Sequence, residues 1–190
     1  MHNRESPPTG ARRKTPRQRA APQMTPIRLG PDSPQLPATL SLLRDSFAFM
    51  AARIDPPSSL TRMDLAALAR EAAEKELWIL PAPDAPDTEA PHADAPLACV
   101  ILTTQPDALY IGKLAVAQTA RGQGLSRQLL TLADTRARAH ALPKLRVQTR
   151  VELTENQATF TALGFVETAR TCHAGYPRPT SITYERPLNT

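Results

Sequence analysis

The chain has 190 residues, 41% of them apolar, which suits one domain with a real core, and no apolar run approaches the length of a membrane span. Its net charge of +5 is misleading. Six of the 23 basic residues and one of the 18 acidic ones lie in residues 1–23, so the rest is neutral and offers no overall field for a polyanion. The two cysteines, Cys99 and Cys172, lack zinc-type spacing and read as small buried apolar residues of a reducing, cytoplasmic compartment, and no metal is expected.

Residues 1–23 are Arg- and Pro-rich and too polar to offset chain entropy, so a disordered basic tail is predicted. The tail is Arg-rich and acid-poor, as transit peptides are, but it lacks the large apolar residues of an amphipathic face. An early start codon is a second reading, with Met24 as the functional start. From Met24 the texture changes, and residues 24–190 read as one domain. Met24 to Leu29 reads as a first strand. Leu40, Leu43, Phe47 and Met50 recur at helical spacing. A turn follows at Asp55-Pro56-Pro57-Ser58-Ser59. Thr61-x-x-Asp64 reads as a capping box before a second helix carrying Leu65, Leu68 and Ala72. Glu76 to Leu80 reads as a strand. Residues 81–96 hold five prolines, four acids and no bases, the composition of a flexible, solvated loop. Strands follow at Leu97 to Thr104 and Leu109 to Val116, joined by a turn at Pro106-Asp107. A long helix from about Gly124 to Ala141 carries Leu125, Leu129, Leu132 and Ala133 on one face. Leu145, Val147 and Val151 alternate with Arg146, Gln148 and Arg150 in a further strand. A short helix from about Glu155 to Leu163 precedes strands at Phe165 to Thr171 and Ser181 to Pro187. The order β-α-α-β-β-β-α-β-α-β-β is that of a mixed α/β domain.

The chemistry is concentrated where the strand ending at Val116 meets the long helix. The loop Arg121-Gly122-Gln123-Gly124 bares backbone N–H groups at the positive end of a helix dipole, which makes a phosphate site. Arg121 and Arg127 can add charge-assisted contacts. The loop has neither the spacing nor the lysine of a Walker P-loop. It lacks the third glycine of a dinucleotide fingerprint, because Arg127 stands there. Ser126, flanked by Leu125 and Arg127, does not fit a GxSxG elbow either.

The pattern R-x-x-G-x-(G/A) does fit through Arg121, Gly124 and Ser126, with Ser as a small-for-small departure at the last position. With Lys113-Leu114-Ala115-Val116 before it, and Thr154-Glu155-Asn156 then Leu163-Gly164-Phe165 after it, the chain resembles the GNAT family of N-acetyltransferases. The resemblance covers roughly residues 24–190 and points to a single, bacterial-type domain. It implies a mostly antiparallel sheet whose fourth and fifth strands, here 109–116 and 144–151, splay apart over the acyl group, with helices flanking the sheet. It implies acetyl-CoA as donor, its pantetheine arm along Leu114, Ala115 and Val116. The pyrophosphate would sit on the amides of Arg121, Gly122, Gln123, Gly124, Leu125 and Ser126, with Asn156 reaching the coenzyme from the short helix. The acceptor would be a small-molecule or peptide amine, attacked in a ternary complex, with the amide of Val116 or its neighbour as donor to the oxyanion.

Many members carry a Tyr four residues after the Asn, to protonate the departing sulfur. Phe160 stands there in this sequence. Tyr110, Tyr176 or Tyr184 could substitute from another element, or the thiolate could leave without full protonation. Glu152, just after the fifth strand, is the candidate base, with Glu155, Glu167 and His173 as others, and Tyr176 is a second candidate catalytic group. The departure at Phe160 supports an alternative, a non-catalytic module that senses acyl-CoA. A third reading, a nucleic-acid-associated protein using the tail, is opposed by the neutral domain, and no specific nucleic acid or membrane partner is expected. A homodimer stays open. Arg136 and Arg138 read as a solvated helix face, Trp78 as a core residue, and His140 as having no role.

Overall fold

The computed structural model describes residues 24–82 and 95–188. The basic tail, and with it the start-site reading, lies outside the described residues, as do positions 83–94 of the acidic loop. The described chain runs β1 (Ile27–Leu29), α1 (Leu36–Phe47), α2 (Leu65–Glu74), β2 (Glu76–Leu80), β3 (Ala98–Thr104), β4 (Leu109–Val116), α3 (Leu125–Ala139), β5 (Lys144–Arg150), α4 (Thr154–Ala162), β6 (Val166–Thr171) and β7 (Ser181–Pro187). The seven strands form one sheet in the order β1-β2-β3-β4-β5-β7-β6. Every pair is antiparallel except β4 with β5, which is parallel.

Strand alternation divides the core between the two faces of this sheet. Leu80, Val100, Leu102, Leu109, Leu145 and Val147 pack under Leu125, Leu129, Ala133 and Ala137 of α3. Leu77, Ile79, Cys99 and Ile101 point the other way, onto Leu36, Leu40, Leu43 and Leu68 of α1 and α2. Both faces of β2 and β3 are therefore covered, and these strands read as nearly continuous apolar runs.

Several local expectations are corrected. Asp64, not Thr61, caps α2: its carboxylate accepts the Ala67 N–H at 2.7 Å. Thr61 lies in a 3-10 turn (Ser59–Arg62), where its hydroxyl donates to the Ser58 carbonyl at 2.8 Å. Ser58 starts that turn, its hydroxyl accepting the Leu60 N–H at 3.2 Å. Met50 belongs to a 3-10 turn after α1. The face of α3 is completed by Leu130, which is buried more deeply than Leu132. Val151 falls just past β5. Cys172 is exposed, whereas Cys99 is buried and its thiol is pushed up by burial to about 12, too high to ionise near neutrality.

Arg136 is not part of a solvated face, and His140 is not without a role. Arg136 grips Glu76 at the start of β2 with bonds of 2.7 and 2.8 Å, His140 Nε2 lies 2.8 Å from the same carboxylate, and Trp78 Nε1 donates to it at 2.9 Å. Burial works to raise the Glu76 carboxyl. The bonds from Arg136, His140 and Trp78 outweigh it and hold the group at about 2, against an ordinary 4.5. A depressed folded-state value means stability that is present above 4.5 and is lost as pH falls toward 2. Glu76→Gln is expected to be less stable than the parent at neutral pH, with the gap narrowing as pH falls through that window in urea titrations. A pH-independent gap would show that the carboxylate charge contributes nothing.

The parallel β4–β5 pairing is short. Only Leu109–Ile111 of β4 lie beside Leu145–Val147 of β5. Beyond them β4 follows β3 and β5 follows β7, so the two strands diverge. A bulge accompanies the divergence. Cys99 faces Ala115 and Ile101 faces Gly112, so Lys113 and Leu114 together oppose Val100. Lys113 takes a φ of +48° there. The extra residue bends the strand and flips its side-chain alternation. Leu109 and Ile111 pack toward α3 before the bulge, and Leu114 and Val116 do so after it, while Ala115 joins the opposite cluster. The closed end of the V is pinned by charge. Arg146 of β5 binds Glu185 at 2.7 Å, Asp107 at 2.8 and 3.0 Å and Gln105 at 2.7 Å, and Lys144 binds Asp107 and Glu185 at 2.9 and 2.8 Å.

Candidate active site

Two cavities occupy the open end of the V. The first, of about 550 Å³, lies between the second half of β4, the N-terminus of α3 and α4. Leu114, Val116, Arg121, Ser126, Asn156 and Phe160 line it, so six residues singled out in the sequence converge there. Val116 faces Ala98, while the next residue, Ala117, donates to Leu97 across the strands at 2.8 Å. Backbone groups alternate in direction along an antiparallel ladder, so the Val116 N–H and C=O turn away from β3 and into the V. The carbonyl meets the Ser46 hydroxyl at 3.4 Å, which agrees with that direction.

The remaining predicted residues are placed as follows. Ala115 turns to the opposite face. Leu125 buries its side chain in the core and can offer only its amide to the cleft. Gly122, Gln123 and Gly124 form an exposed bend between the lining residues Arg121 and Ser126. Gly124 is the residue before α3, at φ +80° and ψ 8°, and no side chain caps the helix. The first N–H bonding back to it is that of Gln128, at 3.1 Å. The amides of Leu125, Ser126 and Arg127 are therefore the uncapped donors of the first turn, at the positive end of a 15-residue helix. This arrangement fits a diphosphate: uncapped amides at the helix start, with an exposed bend and Arg121 beside them.

On α4, Asn156 donates to the Thr149 hydroxyl at 3.4 Å and so stands over β5. Phe160 packs edge-on against Phe165 (5.9 Å between ring centres) and beside Tyr184 (6.0 Å). It is a wall of the cavity and a rim of the core together. At the mouth, Arg53 forks onto Glu155 of α4, and that partner holds the Glu155 carboxyl below its usual range.

The second cavity, of about 480 Å³, meets the first at Phe47, Gln148 and Asn156. Ile54, Pro56, Pro57 and Ser58 form one wall, Tyr110 and Arg150 another, and His173 a third. The sequence reading missed most of this site and took residues 55–59 for a plain turn. One signal was available. β5 lies inside the sheet, yet Arg146, Gln148 and Arg150 make one of its faces polar. A polar face on an interior strand must meet partners or line a site.

Glu152 and Tyr176, the candidate catalytic residues, line neither cavity. The Glu152 carboxylate is shielded from solvent between Arg178 at 3.6 Å and Arg150 at 3.9 Å, without a hydrogen bond. Tyr176 donates to Asp55 at 2.5 Å, and that bond raises its phenol, so it fastens the β6–β7 connection to the turn after α1. Of the three tyrosines, only Tyr110 lines either of these two cavities, and burial pushes its phenol up, keeping it a donor. Tyr184 is buried in the core. His173 Nδ1 lies 2.6 Å from the Thr180 hydroxyl, while its Nε2 faces Arg150 Nη1 at 3.2 Å. Arginine can only donate, so Nε2 is the acceptor and Nδ1 carries the proton.

Among the described residues there is no group of three side chains placed to hold a metal ion, and no helix is long and apolar enough to cross a membrane.

Comparison with solved structures agrees with the fold. An acetyltransferase of the GNAT family from Staphylococcus aureus superposes with a TM-score of 0.63 at 13% identity, over 88% of this chain and 100% of that one. The ribosomal-protein-S18-alanine N-acetyltransferase from Escherichia coli gives 0.58 at 19% identity, over 88% and 96%. A GNAT family acetyltransferase from Elizabethkingia anophelis with acetyl-CoA bound gives 0.59 at 18%, over 87% and 98%. No curated protein matches the chain. The family model for the acetyltransferase (GNAT) family matches residues 45–165, from the end of α1 through the bulged β4 and the glycine bend to Phe165. With most of its length, both diverging strands and the whole first cavity inside that match, the chain belongs to the GNAT family of acetyltransferases.

Proposed function

We propose that the chain transfers an acetyl group from acetyl-CoA to the amine of a small molecule or peptide. The observation that carries this reading is the pair of cavities meeting in the splay of β4 and β5. One is bounded by uncapped helix amides and suits a diphosphate-bearing donor. The other adjoins it and suits an acceptor, so donor and acceptor can be held together before reaction. The acetyl-CoA bound to the Elizabethkingia protein, and the fact that the E. coli one is an N-acetyltransferase, support the same assignment.

In this reading the pantetheine arm runs along Leu114–Val116, the pyrophosphate rests on residues 121–126, and Asn156 reaches the coenzyme from α4. An alkyl ammonium near pKa 10 gives its proton to water before attack. The amine nitrogen bonds to the thioester carbon, and the Val116 N–H, already turned into the V, donates to the oxygen that gains charge. Collapse breaks the C–S bond and releases a thiolate, while the second nitrogen proton goes to solvent. Glu152 acts here by holding Arg150 and Arg178, and Tyr110 supplies a protonated phenol on the acceptor side.

Calorimetric titration of the full chain with acetyl-CoA, beside a thiol-release assay over an amine panel, tests this reading. Binding with release supports it. Binding without release on any amine favours the sensor alternative that Phe160 suggests. Absence of binding overturns both.

Phe160→Tyr is expected to leave the rate of thiol release equal or to raise it several-fold, because it restores a hydroxyl to the cavity wall. A tenfold loss would show that this ring packs against substrate instead.

A further inference from the structure

We infer that the acceptor is an amine carrying its own carboxylate, an amino acid or a close relative, held through that carboxylate by Arg150. The inference rests on the transferase reading above and names its substrate class.

The acceptor-side cavity is lined by two arginines, Arg62 and Arg150, by His173, and by no aspartate or glutamate. A polyamine or other polycation would find no counter-charge in this lining. Arg150 is only 9% exposed, so its charge must be answered from close by. The answer within the chain is incomplete. Nη2 donates to the Pro56 carbonyl at 2.7 Å, and Nη1 donates to His173 at 3.2 Å. Nε faces Glu152 at 3.9 Å, too far for a hydrogen bond, and Glu152 is shared with Arg178. A guanidinium has five N–H groups, so each terminal nitrogen keeps one more donor. A pair of parallel donors matches the two oxygens of a carboxylate. Arg62 has no acidic partner among the described residues and adds to the same field.

Distance agrees with an amino acid. Gln148, where the two cavities meet, lies two residues before Arg150 on the same face of β5. That places the arginine about 7 Å further along the strand. An arginine side chain and a carboxylate close to the amine can together span such a gap. The other acids flanking the cleft are already engaged, Asp55 by Tyr176 and Glu155 by Arg53.

The test is thiol release by the full chain over matched sets of amines. Each set holds an L-amino acid, its carboxamide and its decarboxylated amine, with small, aromatic, acidic and basic side chains represented. At least one amino acid is expected to exceed its carboxamide and its decarboxylated amine about 50-fold or more in kcat/KM. Arg150→Gln should remove that preference, chiefly by raising KM for the amino acid, with acetyl-CoA affinity in calorimetry unchanged. Because Arg150 also supports the Pro56 carbonyl, Arg62→Gln serves as a second variant and should weaken the preference several-fold. Carboxylate-free amines turned over equally well would overturn the inference, as would turnover of no carboxylate-bearing amine by a chain that binds acetyl-CoA. Failure to bind acetyl-CoA would overturn the transferase reading, and this inference with it.

Discussion

Gly124→Val is expected to weaken acetyl-CoA binding at least about 100-fold in calorimetry, a cost of roughly 3 kcal/mol at 1.4 kcal/mol per tenfold. Two effects add. Gly124 sits at φ +80°, where a β-branched residue is a genuine outlier. The left-handed conformation alone costs an ordinary residue about 1–2 kcal/mol. To relieve that strain the bend must change, and the amides of Leu125 and Ser126 turn with it. The new side chain also stands on the exposed surface that a pyrophosphate must approach. Gly124→Ala separates the two, because it keeps the strain with a smaller obstruction and should lose less affinity. The melting temperature of each variant shows whether the fold survives. Unchanged affinity in a folded Gly124→Val would remove the bend from the donor site.

Leu129→Ala is expected to destabilise the protein by roughly 3 kcal/mol, within the usual range for truncating a buried leucine. Leu129 is fully buried in the middle of α3, in the cluster that includes Leu80, Val100, Leu102 and Leu145. The cavity left behind opens inside the sheet–helix layer, where β3 and β5 are held by their neighbours and cannot collapse into it. For a domain of this size the melting temperature should fall by about 6–12 °C. Acetyl-CoA affinity measured well below that temperature should change little, because Leu125, one turn earlier, still anchors the start of the helix. A change of less than 2 °C would mean that this layer repacks freely. A large loss of affinity in the folded variant would mean that the middle of α3 sets the position of its N-terminus.

Much of the lining of the first cavity could be read from the chain because its parts are local. The end of β4, the glycine bend and the first turn of α3 are consecutive, and a helix N-terminus exposes its amides wherever it is found. Strand and helix order were legible for the same reason. The apolar alternation of β2, β3 and β5 and the stripe on α3 are short-range patterns that mirror the two covered faces of the sheet. The short helix carrying Asn156 and Phe160 was legible through its family resemblance, and tertiary packing brings it to the same cavity.

The second cavity depends on what meets across the fold. Arg150 joins Pro56 from 94 positions away, and Tyr176 joins Asp55 from 121. A charged residue on a strand has no local mark that separates a solvated position from the floor of a cavity. Glu152 looked like a base and is placed between two arginines, while Arg136 looked solvated and His140 idle, and both close around Glu76. The parting of β4 and β5 was an expectation of the resemblance, and its extent depends on a bulge at Lys113–Leu114 and on ion pairs at the opposite end. Hydrophobic period and backbone chemistry act over a few residues and are written along the chain. Charge pairing and cavity shape depend on which distant side chains share a space, and only packing decides that.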